Sequence, residues 1–104
     1  MIPLQVLVAT MHQMDLSIAE KMNIRCHAVI ANQSDRNEIL TDGKLTMVTT
    51  NTRGVGLNRN IALMAADAEI LVFSDDDVVY HDDMPQAVEA AFRDNPQADV
   101  LIFG

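Results

Sequence analysis

Three consecutive carboxylates, Asp75, Asp76 and Asp77, follow directly on the apolar run 70–73 and Ser74. Aspartate is depleted in strands and adjacent like charges repel, so a triplet at the mouth of a hydrophobic strand needs a cation or hydrogen-bond donors to offset it. Side chains alternate along an extended strand, which puts Asp75 and Asp77 on one side and Asp76 on the other. Two such carboxylates make an all-oxygen site suited to Mg²⁺ or Mn²⁺, which fills its remaining positions with water and phosphate oxygens. A solvated acidic turn capping the next helix is the competing reading. The segment "TRGVGLNRN" (52–60) bears on the choice. Gly54 and Gly56 let a backbone come close to a ligand at a helix N-terminus, where free N–H groups favour an anion. Arg53 and Arg59, two of seven basic residues, fall in the same segment.

The elements that must position these residues alternate along the chain. "LQVLVAT" (4–10), "CHAVIAN" (26–32), "LTMVTTN" (45–51), "EILVFS" (69–74) and "DVLIFG" (99–104) read as strands, most of them continuous apolar runs of the kind buried on both faces. Between them, 15–23 reads as a helix capped by Asp15 with Leu16, Ala19 and Met22 on one face. The segment after Gly56 reads as a helix with Leu57, Ile61, Met64 and Ala65 in register. Residues 82–96 form the clearest helix, capped by Asp82 or Asp83, with Pro85 in its first turn and a stripe of Met84, Val88, Ala91 and Phe92. Residues 33–44 read as a loop or weak helical turn, with Asp42-Gly43 as a turn signal. The expected fold is α/β: a mostly parallel twisted sheet of about five strands with flanking helices and right-handed crossovers. In such sheets ligands sit outside the carboxyl ends of the strands, and Thr10, Asn32, Asn51 and Asp75 all fall at that edge.

Bulk properties set bounds on partners. The 104 residues suffice for one domain, taken as 1–104, and half of them are apolar. A net charge of −8 argues against a nucleic-acid partner. The single cysteine, Cys26, allows neither an internal disulfide nor a zinc spacing, which makes the cytoplasm the expected compartment. The opening apolar run is too short for a signal peptide or a membrane span.

The strand-end D-x-D of Asp75 to Asp77 in "LVFSDDDVVY" and the segment "TRGVGLNRN" with Gly54, Arg59 and Asn60 together resemble the family 2 glycosyltransferases of GT-A fold. The spacing from Arg59-Asn60 through a helix and a strand to the aspartates is similar to the family's, and so is the closing "NPQADVLIFG". The resemblance covers roughly residues 4 to 104 and implies the Rossmann-like, nucleotide-binding half of the fold. It implies a metal-dependent transfer of a sugar from a nucleoside diphosphate to a hydroxyl, with inversion, in polysaccharide assembly, in the cytoplasm or at the inner face of the membrane. By resemblance Asp77 holds Mn²⁺ or Mg²⁺, and Asp75 holds the metal or the ribose. Arg59 lies near the diphosphate or ribose, Gly54 belongs to the donor site, and Thr10 and Asn32 line the nucleobase pocket. Asp76 is expected to face helix or water. After its second strand the family often carries an acidic pair and a glycine, where this chain has Asn32 and Gln33. The family's acceptor half and general base lie beyond Gly104.

Two other readings stay open. The string "FSDDDVV" also fits the D-x-D-x-[TV] of haloacid-dehalogenase-like phosphatases, with Asp75 as nucleophile and Asp77 as acid/base. A non-catalytic nucleotide-binding module is the second, with self-association through an exposed sheet edge.

Overall fold

The structure, a computed structural model, describes residues 2–97, without the side chains of Ile2 and Val55. Its elements run β1 (Ile2–Met11), α1 (Ser17–Lys21), β2 (His27–Gln33), β3 (Glu38–Asp42), β4 (Leu45–Thr50), α2 (Val55–Ala65), β5 (Ala68–Asp75) and α3 (Met84–Asp94). The strands form one sheet in the order β3-β4-β2-β1-β5, parallel throughout except for the antiparallel β3. This is the α/β, mostly parallel, helix-flanked architecture expected of a GT-A nucleotide-binding half.

The apolar runs explain the central strands. Val6, Val8, Ala28, Ile30 and Met47 bury one face of the sheet under Ile18, Ala19 and Met22, with Tyr80 and Met84 packed against them. Leu7, Val29 and Ala31 bury the opposite face under Ala62 and Ile61 of α2. A strand such as β1 therefore reads as an unbroken hydrophobic run because both of its faces are covered.

Three expectations are corrected. Residues 38–42 are not loop or helical turn but the edge strand β3, joined to β4 through the turn at Gly43, whose φ of 57° is the left-handed value that glycine accepts freely. The strand escaped the apolar pattern because it is solvated: of its residues only Leu40 is partly covered, and Ile39 is 69% exposed. On α2 the buried stripe is Asn58, Ile61 and Ala62, while Leu57, Met64 and Ala65 face solvent. Hydrogen bonds from Asn58 to the sheet fix that rotation of the helix. Asp83 occupies the N-cap position of α3 without a side-chain capping bond, and Pro85 sits in its first turn as expected. The N-cap of α1 is Leu16 rather than Asp15, and the helix covers only Ser17–Lys21; Asp15 lies one residue further out and accepts the backbone N–H of Ser17 at 3.0 Å. The strand expected over 99–104 lies outside the described residues. Among the described residues no helix is long and apolar enough to cross a membrane.

Register then places the site. Thr10 is level with Asn32, Asn32 with Thr49, and Ala9 with Asp75. The polar residues that end four strands thus share one edge. The chain leaves β1 through α1 to β2 on one side, and returns through α2 to β5 on the other. Strand order therefore reverses at β1, and the carboxyl ends of β1 and β5 border the crevice where open α/β sheets bind ligands.

Candidate functional site

At that crevice lies an open cleft of about 320 Å³ lined by Ala9, Thr10, Met11, Gln33, Asn58, Asp75, Asp76 and Asp77. Strand β5 ends at Asp75, and Asp76 and Asp77 turn away from the extended path. The alternation that would send Asp76 to the far side ends with the strand, so all three carboxylates border the cleft. Asp76 accepts the Thr10 hydroxyl at 2.8 Å, across 66 residues of sequence; it stays exposed to water as expected but borders the cleft instead of pointing to the other side. Asp75 accepts Nη2 of Arg59 at 3.3 Å, with both side chains largely exposed. Asp77 makes no hydrogen bond or ion pair among the described residues.

The loop that follows the triplet is pinned at its far end. The Tyr80 N–H donates to the Met22 carbonyl at 2.9 Å. Nδ2 of Asn23, a residue with φ of 55°, donates to the Tyr80 carbonyl at 2.9 Å and to Asp82 Oδ1 at 2.7 Å. Arg25 joins Asp82 at 3.1 Å. The Asn23 amide, with Arg25 beside it, holds the Asp82 carboxyl below its ordinary value of 3.8. The triplet is thus strung between Thr10 on one side and the turn after α1 on the other.

The rim beyond β1 is organised differently. Asn32 is fully buried: its Oδ1 accepts the Gln13 N–H at 3.0 Å, and its Nδ2 donates to the Gln13 carbonyl at 2.9 Å and to Thr49 Oγ1 at 3.1 Å. An amide engaged on both atoms inside the fold holds the loop after β1, and it is not among the residues lining the cleft. Gln13 passes that placement on, donating from Nε2 to Thr10 Oγ1 at 3.1 Å. Arg36 donates to the Gln13 carbonyl at 3.0 Å. Arg53 donates to the Ser34 carbonyl at 3.0 Å and pairs with Asp35 at 2.9 Å, so it stitches loop to loop. Gly54 begins α2 with φ of 111°, and its carbonyl accepts Gln33 Nε2 at 2.9 Å and the Asn58 N–H at 3.1 Å. A side chain at Gly54 would meet nothing within 4 Å, so backbone conformation rather than space calls for glycine there. Asn51 is exposed, and its N–H donates to Asn37.

Sequence reasoning passed over Asn58, which is 3% exposed and donates to the carbonyls of Thr10 and Ala31 at 3.1 and 2.8 Å. Its signal was a polar residue four positions before Ala62, on the stripe that the helix buries. Arg59 and Asn60, on the outer side of α2, border a second open hollow of about 450 Å³ with Leu63 and Phe73. Arg59 therefore stands between the two concavities.

Among the described residues no group of three or more His, Cys, Asp or Glu side chains converges on one metal position. The donors at the cleft are all oxygens, which fits a hard cation that takes one or two carboxylates and completes its shell from a ligand's phosphates and water. Among curated proteins and solved structures nothing matches the chain. A family model described as glycosyl transferase family 2 matches residues 25–103, a span that holds β2 to α3 with Gly54, Arg59 and the whole carboxylate triplet. The chain belongs to glycosyl transferase family 2.

Proposed function

We propose that the cleft binds the nucleoside diphosphate of a sugar donor through Mn²⁺ or Mg²⁺ held by Asp75 and Asp77, and that the protein serves an inverting sugar transfer to a hydroxyl. One observation carries this reading: in a family of glycosyl transferases, the carboxylate triplet lies at the crevice where strand order reverses, facing Thr10. A bound cation would offset the charge of the diphosphate as it leaves. The residues have separate tasks. Thr10 fixes Asp76, which leaves Asp77, and Asp75 beside its pair with Arg59, to face the cation. Arg59, paired with Asp75 at the mouth of the cleft, supplies positive charge near the diphosphate. Gly54 sets the start of α2, and Asn32 sets the loop after β1 against which a base would lie.

The family favours sugar transfer over the phosphatase that "FSDDDVV" also fits. We assign the activity to the cytoplasm, at or near a membrane where polysaccharide is assembled. Titration calorimetry of the chain with uridine and guanosine diphosphates at millimolar concentration tests the donor site. The expected result is binding that requires Mn²⁺ and vanishes with chelator. Heat-free titrations of both nucleotides in the presence of metal would refute it, and release of phosphate from a generic phosphomonoester would restore the phosphatase.

A further inference from the structure

Asn58 does more than the fold asks of it. Its Nδ2 bonds to Thr10 and Ala31 tie the first turn of α2 to the ends of both central strands. They also fix which way the amide faces, because turning it over would set Oδ1 against two carbonyl oxygens. Oδ1 is left buried with no partner, alone among the buried side-chain polar atoms of the described residues. Buried polar atoms are nearly always paired, and leaving one unpaired destabilises the folded state.

Among the described side chains that line the cleft, none is free to donate to that oxygen. Asn58 borders the cleft together with Asp75, Asp76 and Asp77, and ionised carboxylates only accept. The Thr10 hydroxyl already donates to Asp76, and Gln33 Nε2 already donates to the Gly54 carbonyl. What fills the cleft can bring that donor.

We infer that Asn58 is a ligand-binding residue of this site, its Oδ1 accepting an O–H that arrives with the bound nucleotide. The inference rests on the donor-site reading above. The O–H has two sources of the same chemistry: a ribose hydroxyl, or a water carried in the hydration shell of the cation.

Calorimetry on wild type and Asn58→Ala, each first checked for folding by circular dichroism, separates them. The titrants are Mn²⁺ alone, uridine and guanosine diphosphates with Mn²⁺, and the 2′,3′-dideoxy forms of both nucleotides. A ribose donor predicts that Asn58→Ala weakens the ribonucleotide by about five- to tenfold and leaves the dideoxy form unchanged. A metal-borne water predicts a similar loss with Mn²⁺ alone. Equal affinities in the two proteins, or an equal loss on ribo and dideoxy forms with Mn²⁺ binding intact, overturn the role of Asn58 while the donor site stands. Wild type that binds nothing removes the donor site and this role together. Should Asn58→Ala fail to fold, a crystal structure of wild type with Mn²⁺ and uridine diphosphate decides. A ligand hydroxyl or metal-bound water within about 3.2 Å of Oδ1 supports the inference. An ordered water on Oδ1 in both free and bound crystals, or no donor there at all, refutes it.

Discussion

The carboxyl edge of the sheet has two halves built on opposite terms. On the β2–β4 side the polar groups are engaged with one another around the buried Asn32, which clamps Gln13 on both amide atoms; Arg36 reaches the same carbonyl, and at the surface Arg53 binds Ser34 and Asp35. On the β5 side three carboxylates stand exposed, with one hydroxyl and one arginine between them. A buried, saturated network rigidifies what it joins. An exposed cluster of like charges with few partners gains nothing for the fold and becomes favourable only when a cation arrives. The first half looks like a site from the sequence and acts as a frame. The second half reads as a site from the sequence too, and its carboxylates have few partners among the described residues.

Paired substitutions test that division most severely. Asp77→Asn should weaken Mn²⁺-dependent nucleotide binding by about a hundredfold, since it removes a proposed metal ligand. It should leave the urea midpoint unchanged or slightly raised, because among the described residues Asp77 has no partner to lose and two like-charged neighbours. Asn32→Ala should do the reverse. It strands the Gln13 N–H, takes a donor from Thr49 and leaves the Gln13 carbonyl to Arg36 alone, around a cavity at a fully buried position, a loss of about 3 kcal/mol read by urea denaturation. If Asp77→Asn destabilises the chain and Asn32→Ala chiefly costs affinity, the two halves have been assigned backwards.

Gly54→Ala sharpens the comparison at the junction of the halves. With open space around the missing side chain, the only penalty is the φ of 111°, and a loss of about 1–2 kcal/mol is expected. A larger loss, with a broadened unfolding transition, would mean that the start of α2 carries more of the frame than its hydrogen bonds to Gln33 and Asn58 indicate.

How much of this was legible in the sequence follows the same division. Strands β1 and β2 announced themselves because burial on both faces makes a continuous apolar run, and β4 and β5 through their β-branched and apolar residues, although β5 is only partly covered and leaves Phe73 exposed. β3 did not, since this edge strand carries only two apolar residues, of which Leu40 alone is partly covered. The polar strand ends were visible as positions, but not as bonds. No pattern in "ANQSD" says that Asn32 meets Gln13, because that depends on where the chain turns at His12, whose φ is 61°. Asp76 was misplaced by carrying strand alternation one residue past the end of the strand. Asn58 was missed because helical periodicity counts apolar residues, and this helix turns an amide inward to meet the sheet.

The smallest expected effect lies in the loop that holds the triplet from behind. Asn23→Ala removes two hydrogen bonds to residues 80 and 82 and should lower stability by about 1 kcal/mol, while affinity falls only to the extent that the loop after Asp77 positions it. The same bonds leave a signature at Asp82. Its carboxyl is held below 3.8 chiefly by the Asn23 amide and then by Arg25. The stabilisation is therefore complete above that ordinary value and disappears as pH falls through the lowered one. A carbon-detected NMR titration of wild type should place the Asp82 midpoint below 3.8, and Asn23→Ala should bring it back toward 3.8. A midpoint that ignores the substitution would show the loop to be held by Arg25 and the Tyr80 backbone bond alone. The triplet would then be anchored chiefly from the Thr10 side, so that the open half of the edge depends on the closed half even for its position.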